Sequence, residues 1–335
     1  MVKISKGKFE FLEQLSDKNG VIAALAIDQR GSLKKMIGAA KGSDATVEEL
    51  SDFKTLVSKE LTPYASAILL DPEFGIPAGK ARAASSGLLT SYEKTGYDAT
   101  EPGRIPDLLP NWSVKRIKEN GGTAVKLLVY FDPDEPDEIN DVKKAFVERV
   151  GSECEAEQIP LFLEIVTYDE KISDKAEYAK VKPHKVIESV KVFTEPRYGV
   201  DVLKLEVPVD MSRVEGVGEN EPVYSAEEAK KYFLEVEKTS PIPYIWLSAG
   251  VSAELFQKTL VFAKEAGSKY NGVLCGRATW RGGVEAYGKG GEAGAVEWLR
   301  TEGKKNIEDL NEILAENATP WYDKFGGKDK IEVVD

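Results

Sequence analysis

Residues that commonly build metal centres are scarce in this sequence of 335 residues. It contains 2 cysteines, Cys154 and Cys275, far apart along the chain, and 1 histidine, His184. Two distant cysteines exclude a disulfide framework and a cysteine metal cluster, and a single histidine excludes a multi-histidine metal site. We therefore expect no metal site built from cysteines or several histidines.

Long apolar runs and an excess of positive charge are also lacking. No apolar run approaches the roughly 18 residues of a membrane-spanning helix, and the first ten residues lack the apolar segment of a signal peptide. The 45 basic and 57 acidic residues give a formal net charge of −12, which disfavours nucleic acid and anionic membranes as partners. We expect a soluble, cytoplasmic protein. A homodimer is compatible with the sequence, because an uncovered helix face or the C-terminal tail can support one.

Eight short apolar segments recur along the chain, each bounded by turn residues. Most are continuous rather than alternating, as expected for strands covered on both faces. They are Val21–Ile27, Ala67–Leu70, Leu88–Ser91, Ala124–Tyr130, Leu161–Val166, Val200–Val207, Pro243–Ser248 and Gly272–Gly276.

Helical patterns separate these segments. They cover Thr46–Leu61, Ile139–Ala156, Pro183–Phe193, Ser225–Val236, Ser252–Ala266, Gly283–Arg300 and Asn306–Glu316. Ser225 and Glu228 form a capping box, and Gly267 and Gly303 are predicted helix ends. Strands that alternate with helices predict an α/β fold, a single (β/α)8 TIM barrel of residues 1–335 with a C-terminal tail from about 319. The connection Pro72–Gly87 has room for only a stub of helix.

Charged residues interrupt three consecutive predicted strands. Lys126, Glu164 and Lys204 each stand in the middle of an apolar run, and Glu206 shares a strand face with Lys204. A charge on the helix side would lie in hydrocarbon, so we predict that all of them point into the barrel. A buried Lys–Glu network is the structural alternative, but such networks give little net stability.

Burial lowers the pKa of a lysine, and a neighbouring ammonium lowers it further. Lys126 and Lys204 are expected to act on each other in this way, which would give the neutral amine that attacks a carbonyl. Glu164, on the strand between them, is placed to shuttle protons. The pattern leaves open which lysine is the nucleophile. His184 is expected to be a surface residue.

Two strand ends indicate a phosphate site. Ser248 and Gly250 lead from the seventh strand into a helix, and Gly276 and Arg277 end the eighth, where this fold commonly binds phosphate. Helix capping is the alternative for the first pair. The first strand ends at Asp28 and Gln29, which are candidates for contact with substrate hydroxyls. A basic cluster follows at Ser32, Lys34 and Lys35. These residues are further candidates for substrate contact; alternatively, they are the solvated start of a helix. Asp71-Pro-Glu73 either closes the barrel mouth or touches the site.

These residues form the pattern of the class I, Schiff-base aldolases. The strings Ala-Ile-Asp28-Gln29-Arg30-Gly, Leu-Leu-Asp71-Pro-Glu-Phe-Gly, Ala-Val-Lys126-Leu-Leu-Val-Tyr, Leu-Lys204-Leu-Glu-Val-Pro and Leu-Cys-Gly276-Arg277-Ala-Thr-Trp together resemble the tagatose 1,6-bisphosphate aldolases of lactose operons, from Phe9 to about Trp321. The resemblance implies a carbon–carbon lyase of the tagatose 6-phosphate pathway that works without a metal or cofactor. It would act on a bisphosphorylated ketohexose and be permissive among fructose and other epimers.

The resemblance also implies roles. Lys204 would form the imine and Glu164 would be the general acid and base. Contacts with substrate hydroxyls would come from Lys126 and Asp28. The C1 phosphate would lie at Ser248, Gly250 and Arg277, and the C6 phosphate at Ser32, Lys34 and Lys35. This chain ends Ile-Glu-Val-Val-Asp, without the terminal tyrosine of related fructose bisphosphate aldolases, so Glu164 is also the candidate proton donor to the enamine. Two alternatives remain: a sugar-phosphate isomerase or epimerase, and a regulatory protein that senses a sugar phosphate.

Overall fold

Eight parallel strands close into a barrel in the computed structural model, which describes residues 1–97 and 100–335. The described residues form ten strands, eight in the barrel and two, the first and the last, outside it: β1 (Val2–Ser5), β2 (Ile22–Ala26), β3 (Ala67–Leu70), β4 (Gly87–Ser91), β5 (Ala124–Phe131), β6 (Leu161–Thr167), β7 (Val202–Leu205), β8 (Tyr244–Leu247), β9 (Gly272–Cys275) and β10 (Ile331–Val334). Strands β2 to β9 follow one another around the barrel in chain order, and β9 pairs with β2. The predicted TIM barrel is confirmed, and each of its strands lies within two residues of its predicted bounds.

Helices cover the outside of the barrel. They are α1 (Lys6–Leu15), α2 (Gly31–Lys41), α3 (Val47–Leu61), α4 (Ile76–Ala81), α5 (Val114–Glu119), α6 (Asp137–Ala156), α7 (Lys175–Phe193), α8 (Ala226–Thr239), α9 (Ala253–Glu265), α10 (Arg277–Trp298) and α11 (Lys304–Asn317). The capping box of Ser225 and Glu228 is present, and α4 is the predicted stub. Among the described residues, no helix is both long and apolar enough to cross a membrane.

Pro183 lies inside α7 rather than at its start, so the predicted beginning of this helix was wrong. Asp174 caps the helix by accepting hydrogen bonds from the N–H groups of Ala176 and Glu177. A proline inside a helix leaves the carbonyl four residues earlier without its usual donor. Here that carbonyl belongs to Ala179. The hydroxyl of Tyr224 lies 3.3 Å from it and 2.7 Å from the neighbouring carbonyl of Lys180, so its one proton is shared between the two. A side chain from another loop therefore replaces the missing donor in part.

Gly303 does not end a helix, contrary to the prediction. It closes a π-helical turn, Leu299–Gly303, which runs directly into α11, and its φ of −62° is an ordinary helical value. Gly267 does follow the end of α9 as predicted, with a φ of +89°. The two glycines differ because only Gly267 adopts the left-handed conformation that ends a helix.

Apolar side chains fill the lower part of the barrel, toward the N-terminal ends of the strands. Ala24, Ala67, Phe162 and Ile245 belong to one buried cluster with Trp321. The segment after Thr319 crosses this end, and β10 then pairs with β1 in a separate two-stranded sheet. Because the lower layers are closed by hydrocarbon, the inward charges lie together toward the open C-terminal ends.

Gly151 is the position where α6 approaches the segment after α7 most closely. A Cβ there would collide with the carbonyl oxygen of Tyr198. We expect Gly151→Ala to lower the free energy of unfolding by about 1–3 kcal/mol, as overpacking does, in urea titrations. Gly290→Ala is the control: it lies in α10 just before a kink at Gly291, with nothing within 4 Å of its Cβ position, and should be neutral or slightly stabilising. Equal unfolding energies for the two variants would contradict this account of the contact.

Candidate active site

Two lysines share one carboxylate oxygen near the C-terminal ends of the strands. Lys126 on β5, Glu164 on β6 and Lys204 on β7 are all buried and point inward. The Oε2 atom of Glu164 lies 2.8 Å from Lys126 Nζ and 2.9 Å from Lys204 Nζ. The strand register produces this arrangement, because Glu164 is directly opposite Lys204 in the β6–β7 pairing.

Two further carboxylates contact Lys126. Asp28, which follows β2, lies 3.1 Å from its Nζ, and Glu93 lies 2.6 Å from it. The other oxygen of Glu93 accepts a hydrogen bond from the backbone N–H of Leu128 at 3.2 Å.

Sequence reasoning missed Glu93. It stands two residues after the end of β4, where the chain makes a single antiparallel bridge to Leu108. The available signal was the two-residue period of the strand, since Leu89 faces the barrel interior and Glu93 continues the same face.

Burial and charge act in opposite directions on these groups. Burial alone would lower the pKa of Lys126, but Glu164, Glu93 and Asp28 outweigh it and hold the pKa well above its usual range. The prediction that the two lysines lower each other's pKa is therefore wrong for Lys126, because three carboxylates surround it. Burial would raise the pKa of Asp28, but Lys126 and Lys204 bring it below the usual range.

The pKa values of the two glutamates shift in opposite directions. Burial favours the neutral form of both. The two ammonium groups on Glu164 outweigh burial and lower its pKa, whereas burial prevails at Glu93 and raises its pKa. Glu93 contacts only Lys126 among the two lysines, so it receives less compensation.

A cavity of about 250 Å³ opens above this charged layer. Its lining includes Glu164, Lys204 and Glu206 together with the predicted phosphate and hydroxyl contacts Gln29, Ser248, Gly250, Gly276 and Arg277. Lys126 and Asp28 are not part of that lining. The two lysines are therefore distinguished by position: Lys204 faces the cavity with one carboxylate partner, and Lys126 is enclosed by three.

Arg277 packs directly against the turn after β8. Gly250 has a φ of +79°, and a Cβ there would lie 2.6 Å from Arg277 Nη2, so the guanidinium occupies the space that a larger residue would need. α9 begins three residues after Gly250, and α10 begins at Arg277 itself. Two helix N-termini and a guanidinium thus lie at one end of the cavity, a combination that suits a phosphate.

The remaining predicted residues differ in how they relate to this cavity. Gln29 lines it, and its buried Oε1 has no hydrogen-bond partner among the described residues. Ser32, Lys34 and Lys35 are exposed on the first turns of α2 and lie outside the cavity lining. The structure therefore places this cluster outside the cavity itself, at the start of the helix that follows Gln29.

Asp71 belongs to the framework beneath the mouth rather than to the cavity. It pairs with the buried ammonium of Lys54, and its other oxygen lies 3.8 Å from Arg30 Nε. Arg30 also contacts Glu73 at 2.7 Å. His184 is an exposed residue, paired with Asp134 at 2.9 Å, as the sequence predicted.

The chain is similar to known aldolases over its full length. A relative from Listeria monocytogenes named tagatose 1,6-diphosphate aldolase is 60% identical over 337 residues, which covers 100% of this chain and 99% of the relative. One from Enterococcus faecalis named tagatose 1,6-diphosphate aldolase 2 is 58% identical and covers 97% and 98%.

The same fold occurs in solved structures whose sequence identity to this chain is much lower. A solved fructose-bisphosphate aldolase from Plasmodium falciparum has a TM-score of 0.71 at 17% identity, and the match covers 95% of this chain and 97% of that one. The sequence pattern described as DeoC/LacD family aldolase matches residues 22–282. The chain belongs to the DeoC/LacD family of aldolases.

Proposed function

We propose that this chain cleaves D-tagatose 1,6-bisphosphate to dihydroxyacetone phosphate and glyceraldehyde 3-phosphate through a Schiff base on Lys204. The observation that carries the proposal is the unequal position of the two lysines around Glu164. Lys204 lines the same cavity as Arg277, whereas Lys126 is outside the lining and enclosed by three carboxylates. The names of the full-length relatives support the substrate.

Each step of the proposed reaction uses a group of the cavity. Neutral Lys204 attacks the C2 ketone, and Glu164, whose Oε2 lies 2.9 Å from its Nζ, donates the proton that leaves with water. The ionised Glu164 then takes the proton of the C4 hydroxyl while the iminium accepts the electrons of the C3–C4 bond, which releases glyceraldehyde 3-phosphate. Glu164 then returns a proton to the enamine, and hydrolysis releases dihydroxyacetone phosphate.

Both phosphates have proposed positions. The C1 phosphate lies at Ser248, Gly250, Gly276 and Arg277, next to the imine. The basic cluster of Ser32, Lys34 and Lys35 on α2 receives the C6 phosphate, because α2 begins at the same end of the barrel. Asp28, Gln29 and Lys126 orient hydroxyls between them. Fructose 1,6-bisphosphate and other C3 or C4 epimers are proposed as further substrates, since they differ only in the direction of single hydroxyl groups.

We also propose that the enzyme acts as a cytoplasmic homodimer and does not bind nucleic acid. The net charge of −12 supports the absence of nucleic-acid binding. The two-stranded sheet of β1 and β10 supports the dimer, because each strand of that sheet has an edge to which a second copy can add.

Borohydride reduction in the presence of dihydroxyacetone phosphate, followed by peptide mass spectrometry, tests the imine. We expect a substrate adduct on Lys204, and we expect Lys204→Met to abolish both the adduct and the cleavage of tagatose 1,6-bisphosphate. An adduct on Lys126 would keep the reaction class and reverse the two lysine roles. No adduct at saturating ligand would refute the Schiff base and favour the isomerase or the sugar-phosphate sensor.

Arg277→Met tests the C1 phosphate position. Loss of a charge-assisted hydrogen bond costs about 1.5–3 kcal/mol, so kcat/KM should fall by about 10- to 100-fold. The concentration of dihydroxyacetone phosphate needed for trapping should rise in parallel. Arg281→Met, an exposed arginine one turn further along α10, is the control. If both variants leave the kinetics unchanged, the phosphate does not lie at Arg277.

A further inference from the structure

Four charged groups form a continuous line from the cavity lining to Glu93, two residues after the end of β4. Lys204 Nζ lies 2.9 Å from Glu164 Oε2, which lies 2.8 Å from Lys126 Nζ, and Lys126 Nζ lies 2.6 Å from Glu93 Oε1. Each contact is within proton-transfer distance; the last is a hydrogen bond, and the two at Glu164 are ion pairs. The line begins at the proposed nucleophile and ends at Glu93, which lies outside the cavity lining.

Asp28 and Glu93 could each accept a proton from Lys126, and Glu93 is the better acceptor. Asp28 also contacts Lys126, but the charges of Lys126 and Lys204 hold its pKa low, so it stays ionised. Glu93 is buried, and its pKa is raised by that burial and by the negative charge of Asp28, against the opposing effect of Lys126. The guanidinium of Arg30 donates to the Glu93 backbone carbonyl at 2.9 Å, not to its carboxylate.

We propose that Glu93 is a positioning residue that receives, through Glu164 and Lys126, the proton that Lys204 loses before it attacks the substrate, and that later returns it. This inference rests on the proposed function, because it assumes that Lys204 is the nucleophile. Of the three carboxylates, Glu164 lines the cavity and Asp28 is held ionised by both lysines. The proposal gives a role to the third, Glu93.

The proton inventory balances. Lys204 gives a proton to Glu164, Glu164 gives one to Lys126, and Lys126 gives one to Glu93, which leaves a neutral amine, an ionised Glu164 and a neutral Glu93. The nitrogen lone pair then forms the C–N bond at C2, and one nitrogen proton moves to the former ketone oxygen. The proton on Glu93 returns along the same line to Glu164, which protonates the hydroxyl. The C–O bond breaks, water leaves, and the nitrogen becomes a protonated iminium.

This route explains how a buried amine loses its proton without transfer to solvent. The three carboxylates and two ammonium groups of the cluster carry a total charge of −1 before the transfer. The total is the same afterwards, because the proton stays inside the cluster. No uncompensated charge is therefore created in the barrel at the moment of attack.

The pH dependence of Glu93→Gln tests the proposal. Glutamine keeps the size of the side chain and can still accept from Leu128 N–H, but it cannot take a proton. Without this acceptor, Lys204 must lose its proton to solvent. We expect kcat/KM to fall by about 100-fold at neutral pH, the acid limb of the profile to move at least about one unit to higher pH, and the loss to diminish in alkaline solution. The rate of borohydride trapping with dihydroxyacetone phosphate should follow the same profile.

Glu135→Gln is the matched control. Glu135 has the same side-chain exposure as Glu93, 10%, and it too pairs with a buried lysine, Lys143, at 2.7 Å. Its pH profile should match that of the unaltered enzyme. Glu93→Asp is the second variant: it keeps a titrating group, and we expect the acid limb to return toward its original position even if the glutamine variant folds poorly.

Three outcomes would overturn the proposal for Glu93. They differ in whether they also refute the proposed function. If Glu93→Gln lowers activity equally at every pH, or leaves it unchanged, Glu93 has only a structural role. If the acid limb moves to lower pH, the variant has merely removed a negative charge that hinders deprotonation of Lys204. In both cases trapping at Lys204 still supports the proposed function. If Lys204 is not trapped in the unaltered enzyme at any pH, the proposed function and this inference fail together.

Discussion

One oxygen atom, Oε2 of Glu164, sets the arrangement of the whole site, because it lies within 3 Å of two ammonium groups. Two cations attached to one atom repel each other, and they remain close only if further negative charge compensates them. The compensating negative charge is divided unequally between the two lysines. Asp28 and Glu93 both contact Lys126, so Lys126 is fixed as a cation while Lys204 keeps a single carboxylate partner. Two chemically identical side chains thereby acquire different tasks from their surroundings alone.

The framework below the mouth keeps that inequality in place. Lys54, completely buried on α3, pairs with Asp71 and donates to the carbonyl of Ile27 at 2.7 Å, which fixes the end of the strand that leads to Asp28. Arg30 links the same segment to Glu93 through its backbone carbonyl. Burying so many charges brings little net stability. Its structural effect is that the carboxylates around Lys126 come from segments that are themselves held by ion pairs.

The sequence was informative wherever a residue broke a local pattern. Lys126, Glu164 and Lys204 are conspicuous because they interrupt continuous apolar strands. Glu93 was not, because β4 ends in polar residues and a carboxylate after them resembles part of a loop. Recognising it requires the register between strands, which depends on contacts between distant segments. The pairing of β1 with β10 was missed for the same reason, since its two partners lie at opposite ends of the sequence. Pro183 misled the prediction of α7 because its missing donor is replaced from another loop.

That replacement has a consequence for the cavity wall. The loop of residues 206–225 starts with Glu206 in the cavity and ends near Tyr224, whose hydroxyl shares its one proton between the Ala179 and Lys180 carbonyls of α7. In an uninterrupted helix the first of these carbonyls would already be occupied by the helix's own N–H group. The proline thus creates a free acceptor on the helix surface, and the loop uses it as a docking point. Pro183 takes no part in the chemistry, but through this contact it helps to determine the position of one wall of the active site.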